Sequence, residues 1–172
     1  MHSTIFVLRE NPISEDFVFD EESFLSGAMD RRGYDYCDKS NLEIEVKDYF
    51  SGYYSDYLQT EMMKIEDEEY PEDSLVQFKM TITLREKYMR NLYEKYRKAL
   101  DEFADIQTFE RLSDCNDREI SQRLYKLHCV MENEFGMQFY SNHGDFESPE
   151  ELIHRCKDGD VYYIIAAYDY HF

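Results

Sequence analysis

The stretch "DVYYIIAAYDY", Asp160 to Tyr170, decides how this chain folds. Between Val161 and Ala167 it carries no charged residue, and its tyrosines, isoleucines and valine suit a pleated backbone. The strand is apolar on both sides through Ala167, so it belongs in the interior of a sheet that is covered on each face. The rest of the sequence can then be read for partners to that strand and for helices to cover it.

"STIFVLR", Ser3 to Arg9, reads as a buried strand ended by the Asn11-Pro12 turn. Val76, Phe78, Met80 and Ile82 alternate against Gln77, Lys79, Thr81 and Thr83, the pattern of a strand with one face in the core. "NLEIEVK", Asn41 to Lys47, sets Leu42, Ile44 and Val46 against Glu43, Glu45 and Lys47, and the same rule predicts a strand there. "MQFYS" is a short strand followed by the turn "SNHGD".

Helices fill the intervals. "DEESFLSGAMDRR" permits a short helix, weakened by Gly27 in its middle. From Asp48 onward Phe50, Tyr54, Tyr57, Leu58, Met62 and Ile65 recur at three- and four-residue steps and predict a helix, which Pro71 ends. Thr83 to Glu86 spells a capping box, opening a long helix with Leu84, Tyr88, Leu92, Tyr96, Ala99 and Phe103 toward the core. Glu94 to Lys98 and Arg97 to Asp101 are i,i+4 pairs on its other side. Asn116 to Glu119 is a second box, starting a helix through Ile120, Leu124, Leu127, Met131 and Phe135 that Gly136 stops. "SPEELIHRCKDG" has Ser148 at the N-cap, Pro149 at the first helical position and Glu151 at the third, the clearest helix start in the chain.

With strands at both ends and helices between, the expected fold is α+β: a single mixed sheet of about five strands with helices packed on it. Residues 1–172 are expected to form one acidic domain, long enough to bury roughly two thirds of the surface exposed on unfolding. A hydrophobic content of 42% with 16 Tyr and 12 Phe is too rich for a disordered chain, despite a formal charge of -19. Cys37, Cys115, Cys129 and Cys156 form no CxxC pair and no zinc spacing, so free thiols are expected. No apolar run approaches a membrane span and the N-terminus lacks a signal-peptide layout, which makes a reducing cytoplasm the simplest compartment.

The charge is concentrated. Residues 40–75 hold two Lys against eleven Asp and Glu, while residues 76–106 hold seven basic against five acidic. "EDEEYPEDS", Glu66 to Ser74, places six carboxylates and one tyrosine around a single proline. Such negative charge repels nucleic acid and anionic membrane and favours a basic partner. Carboxylates on a rigid element can stand in for backbone phosphates, and tyrosines add stiff contact area. The candidate partner-binding residues are therefore Asp48, Tyr53, Asp56, Glu66, Asp67, Glu68, Glu69, Tyr70, Glu72 and Asp73, with Tyr54 and Tyr57 assigned to the core. The plainer reading makes the acidic run a solvated face. A further one has the basic helix from Arg85 to Lys98 neutralise it within the fold.

No catalytic, cofactor or metal signature is found, and no cofactor or metal is expected. His154 and Cys156 diverge on a helix, as do His128 and Cys129, and Cys115 near a helix start is flanked by Asp114 and Asp117, which raise a thiol pKa. The favoured expectation is a non-enzymatic inhibitor whose acidic, tyrosine-bearing surface occupies a basic, nucleic-acid-binding site on another protein. In small size, acidity and aromatic richness the chain is similar to mobile-element proteins that block restriction or CRISPR systems, a likeness of composition that carries over no residue. The alternatives are a small cytoplasmic adaptor or immunity-type protein that binds through apolar and tyrosine contacts, and an enzyme with a carboxylate or His/Cys site assembled from distant residues.

Overall fold

The computed structural model describes residues 2–14, 16–51, 63–67, 76–104, 118–131, 136–141 and 144–171. The chain divides into two compact units, one formed by Met1–Arg85 with Phe135–Phe172 and the other by Glu86–Glu134.

The first unit is built on a seven-stranded mixed sheet. Its strands are β1 (His2–Arg9), β2 (Tyr36–Lys39), β3 (Met63–Asp67), β4 (Phe78–Ile82), β5 (Gln138–Tyr140), β6 (Phe146–Glu147) and β7 (Val161–His171). The order is β3-β4-β7-β1-β5-β6, with β2 also pairing β7. Among the described residues only β1 and β5 run parallel, and the other pairings are antiparallel. The class is α+β as expected, with seven strands rather than about five.

β7 is central because its sequence leaves no polar face to turn to water. One side pairs β1 along its length, and the other pairs β4 through Val161–Ile164 and then β2 through Tyr168–His171. The register slips where Val7 faces Ala166 and Leu8 faces Ile164, leaving Ile165 as the extra residue of a β-bulge. A one-residue insertion reverses which face each side chain takes. Tyr162 and Ile164 therefore share a face with Leu8, while Ala166, Tyr168 and Tyr170 share the opposite face with Ile5 and Val7. That change of phase is why the sequence reads apolar on both sides.

Helix α1 (Glu21–Arg32) covers the face of Ile5, Val7, Tyr168 and Tyr170. Asp20 caps it by accepting from Ser23 N, and Gly33, at φ 70°, ends it in the left-handed conformation. Phe24 and Ala28 are fully buried, and the Phe24 ring centroid lies 4.4 Å from that of Tyr168 and 4.8 Å from that of Tyr140. Gly27 does not break the helix, and a Cβ there would meet only Phe146, at 3.9 Å.

The stretch expected as a strand, Asn41 to Lys47, is instead the start of helix α2 (Leu42–Phe50). The side chain of Asn41 accepts from Ile44 N and caps it. Six alternating residues fit either period, and Tyr49 and Phe50 decide between them. With Val46 they make a buried helical stripe on Phe6, at centroid distances of 5.6 and 5.5 Å from Tyr49 and Phe50, while Ile44 is left 58% exposed. The helix expected from Asp48 through Ile65 is corrected too. Ile65 lies in β3, opposite Met80 of β4, where cross-strand pairing overrides a helical spacing. Residues 52–62, on which the rest of that expectation fell, lie outside the described residues.

Helix α5 (Pro149–Arg155) follows the expected start. Ser148 accepts from Glu151 N, and the Glu151 carboxylate accepts from Ser148 N, so the capping box is complete. Leu152 and Ile153 are fully buried. Arg155 donates twice to Glu147, at 2.8 and 2.9 Å, and once to the Tyr162 hydroxyl, which also meets the buried Cys156 thiol at 3.2 Å.

The second unit contains most of α3 (Arg85–Ala104) and all of α4 (Arg118–Met131). The helix begins at Arg85, so Leu84 and not Thr83 holds the N-cap position, and the expected Thr83–Glu86 capping box is corrected. Leu84 stands before the helix at φ 55°, and the Arg85 backbone donor is taken by Asp158, at 2.7 Å. Two carbonyls, of Ile153 and His154, accept from the Arg85 guanidinium and hold this strained junction in place. On α3, Tyr88 is buried and Leu92, Tyr96, Ala99 and Phe103 are half-buried, the face the sequence predicts, although Leu84 is half exposed. Arg123 of α4 donates to the Glu102 carbonyl.

A candidate protein-binding surface

Of the residues singled out from the sequence, few can be placed. Asp48 is exposed on α2, on the side away from Val46, Tyr49 and Phe50. Glu66 lies in β3 directly opposite Lys79 of β4 and accepts from its ammonium at 2.9 Å, so its charge is answered within the sheet. Asp67 follows it, opposite Phe78. Tyr53, Asp56, Glu68, Glu69, Tyr70, Glu72 and Asp73 lie outside the described residues.

Most of the acidic run that the basic helix was expected to neutralise, residues 68–75, lies outside the described residues. Arg90 pairs with Glu86 at 3.0 Å, Arg97 with Asp101 at 3.5 Å and Lys98 with Glu102 at 3.9 Å, all within α3. Each of these three cations has an acid of its own helix four residues away as an ion-pair partner.

The sheet assembles a carboxylate row that the linear sequence did not suggest. Antiparallel pairing sets Thr4 of β1 opposite Asp169 of β7, and Asp169 opposite Asp38 of β2. Directly opposed residues share a face, so these three side chains line up across three strands. Helix α2 packs on the same face through Phe6, and its Glu45 accepts from the Thr4 hydroxyl at 2.8 Å. Glu45, Asp169 and Asp38 therefore follow one another across the sheet end. Tyr36 and His171 form the adjoining row, where Asp35 meets the His171 ring at 2.8 Å and the Tyr36 hydroxyl faces Asp38 at 3.5 Å.

The field of this row is felt by its neighbours. Cys37 is pushed up to about 11, first by burial and then by the negative charges of Asp169 and Asp38. The Tyr36 phenol is also raised, by desolvation and then by the same two carboxylates. Like charges directly opposite on neighbouring strands cost roughly 0.2–1 kcal/mol, and Asp38 and Asp169 stand in that relation. Asp38→Asn keeps the acceptor that caps Lys39 N at 2.8 Å and removes one charge. The variant is expected to be more stable by about 0.2–1 kcal/mol in denaturant melts. Alkylation of Cys37, followed by peptide mass spectrometry, is expected to speed up as the thiol pKa falls. An unchanged rate would show that the Asp38 carboxylate does not act on Cys37.

"YCDK" and "YDYH" each hold a carboxylate two residues from a tyrosine or histidine, in strand-like alternation, which was the available signal. Only the register joins them. Among the described residues no group of three His, Cys, Asp or Glu side chains could hold a metal ion. No helix there is long and apolar enough to cross a membrane. Comparisons with family models, curated proteins and solved structures find no match for this chain.

Proposed function

We propose that this protein is a non-enzymatic binding protein whose acidic, tyrosine-bearing sheet unit occupies a basic, nucleic-acid-binding site on another protein. The observation that carries this reading is the segregation of charge between the two units. The sheet unit holds ten Lys and Arg against 27 Asp and Glu, whereas Glu86–Glu134 holds nine against eleven. An acidic coat that served solubility alone would have no reason to gather in one unit. Asp38, Asp169, Glu45 and Asp35 on a sheet end, with Asp48 exposed on α2, present negative charge on rigid elements. Tyr36, 43% exposed beside them, adds an aromatic contact. An inhibitor of a restriction or CRISPR nuclease, encoded by a phage or other mobile element, is a setting that such a surface suits.

The test is capture of partners from a host lysate at low and at high salt, followed by competition with nucleic acid. The expected result is a basic, nucleic-acid-binding protein that is retained at low salt, released at high salt and displaced by DNA or RNA, because charge complementarity is screened and the site is shared. The protein alone is expected not to shift random-sequence duplex DNA at physiological salt. A partner that resists high salt and ignores nucleic acid would replace this reading with the adaptor or immunity-type one, based on apolar and tyrosine contacts.

A further inference from the structure

The helical unit bears a surface of a different kind. Among the described side chains of α3 and α4 only Tyr88 and Ile120 are buried, while Tyr93 is 61% and Leu100 48% exposed. Helices in water draw most of their stability from burying an apolar face, and large apolar side chains left exposed on one stripe are area that association can remove from water. Tyr93 and Leu100 are seven residues apart, two helical turns, and so share a stripe, with Arg90 and Arg97 beside them.

Charge decides what can cover that stripe. A copy of this chain is repelled by its -19 formal charge, but the excess lies in the sheet unit and Glu86–Glu134 carries only two acids more than bases. Of the two units, the helical one therefore opposes contact with its own copy the less. The ion pairs bordering the stripe, Arg90 with Glu86 and Arg97 with Asp101, have side chains that are all more than half exposed. Such pairs contribute little within one helix and can exchange partners. A surface with both signs flanking an apolar stripe is self-complementary, which a two-fold contact requires.

We infer that the stripe of Arg90, Tyr93, Arg97 and Leu100 on α3 is the contact through which two copies of this chain form a two-fold dimer. With the two α3 helices antiparallel about the midpoint of Tyr93 and Leu100, each tyrosine meets the leucine of the second copy. Arg90 then comes within a turn of the second copy's Asp101. The inference is independent of the partner-binding role, and salt separates the two: screening weakens an acidic-to-basic complex but strengthens a dimer of two copies that each carry a formal charge of -19.

Sedimentation equilibrium over a concentration series at low and high salt tests it. The expected result is a concentration-dependent dimer that tightens with salt. Tyr93→Glu with Leu100→Gln, both exposed positions given good helix formers, is expected to weaken it at least about tenfold, with helical circular dichroism unchanged. Amide exchange in residues 85–104 of the unaltered protein is expected to slow as concentration rises, a measurement that needs no variant. A monomer throughout the series, a dimer that the double variant leaves as tight, or exchange independent of concentration would each overturn the inference.

Discussion

Replacing Phe24 by Ala is expected to destabilise this protein by about 3–5 kcal/mol. The side chain is fully buried, and its ring lies at centroid distances of 5.7 Å from Phe19, 4.8 Å from Tyr140, 5.9 Å from Phe146 and 4.4 Å from Tyr168. Removing it leaves a cavity walled by rigid rings that cannot collapse easily, in addition to the lost transfer energy. Domains of this kind hold about 5–15 kcal/mol in all, so the variant is expected to lose a large share of its stability. The loss should appear as a lower denaturant midpoint with an unchanged slope. Phe24→Leu, which keeps most of the volume, is expected to cost distinctly less. A loss for Phe24→Ala below about 1 kcal/mol, the ordinary effect of a single substitution, would mean that α1 does not seat on the β7 face as described.

The second large effect concerns association. Neutralising Glu66, Asp67, Glu68, Glu69, Glu72 and Asp73 to Gln, Ser or Lys, or separately Asp38 and Asp169 to Asn, is expected to slow binding to the captured basic partner. Steering by a charged surface raises on-rates by roughly 10–10³, and losing part of it should lower them by about tenfold or more at low salt. The two variants divide the surface. Glu66 is already answered by Lys79 at 2.9 Å, so the contribution of the first variant must come from its neighbours. The second removes charges that the sheet holds in a fixed row. Fold stability is expected to change little in both, since each relieves repulsion between neighbouring carboxylates and the Glu66–Lys79 pair lost in the first is a partly exposed one of small worth. Association as fast as that of the parent in both variants would leave the acidic surface a solvated face and remove the support for phosphate mimicry.

Several elements are legible in the sequence because their information is local. Ser148, Pro149 and Glu151 specify the start of α5 through atoms within one turn of each other. Phe78, Met80 and Ile82 alternate cleanly because β4 buries one face, and the half-buried side of α3 recurs at helical spacing because that helix is long. The segregation of charge is likewise a property of the sequence and needs no coordinates. Short segments are where local pattern misleads. Leu42 to Lys47 alternates well enough for a strand, yet it is a helix because Tyr49 and Phe50 find Phe6, and Glu45 finds the Thr4 hydroxyl, on a strand far away in sequence.

The sequence by itself determined the class of fold, the central place of Val161–His171, the Ser148 cap of α5, and the excess of acid. The tertiary structure alone decided the register. It set the bulge at Ile165 that turns Tyr168 and Tyr170 toward α1, brought β3 beside β4 so that Glu66 meets Lys79, and placed Asp38, Asp169 and Glu45 in one row. The physical reason is that helical and strand periods and caps depend on neighbours a few residues apart, which a linear pattern records. Strand pairing instead joins residues whose proximity exists only once a loop has closed and a core has formed between them.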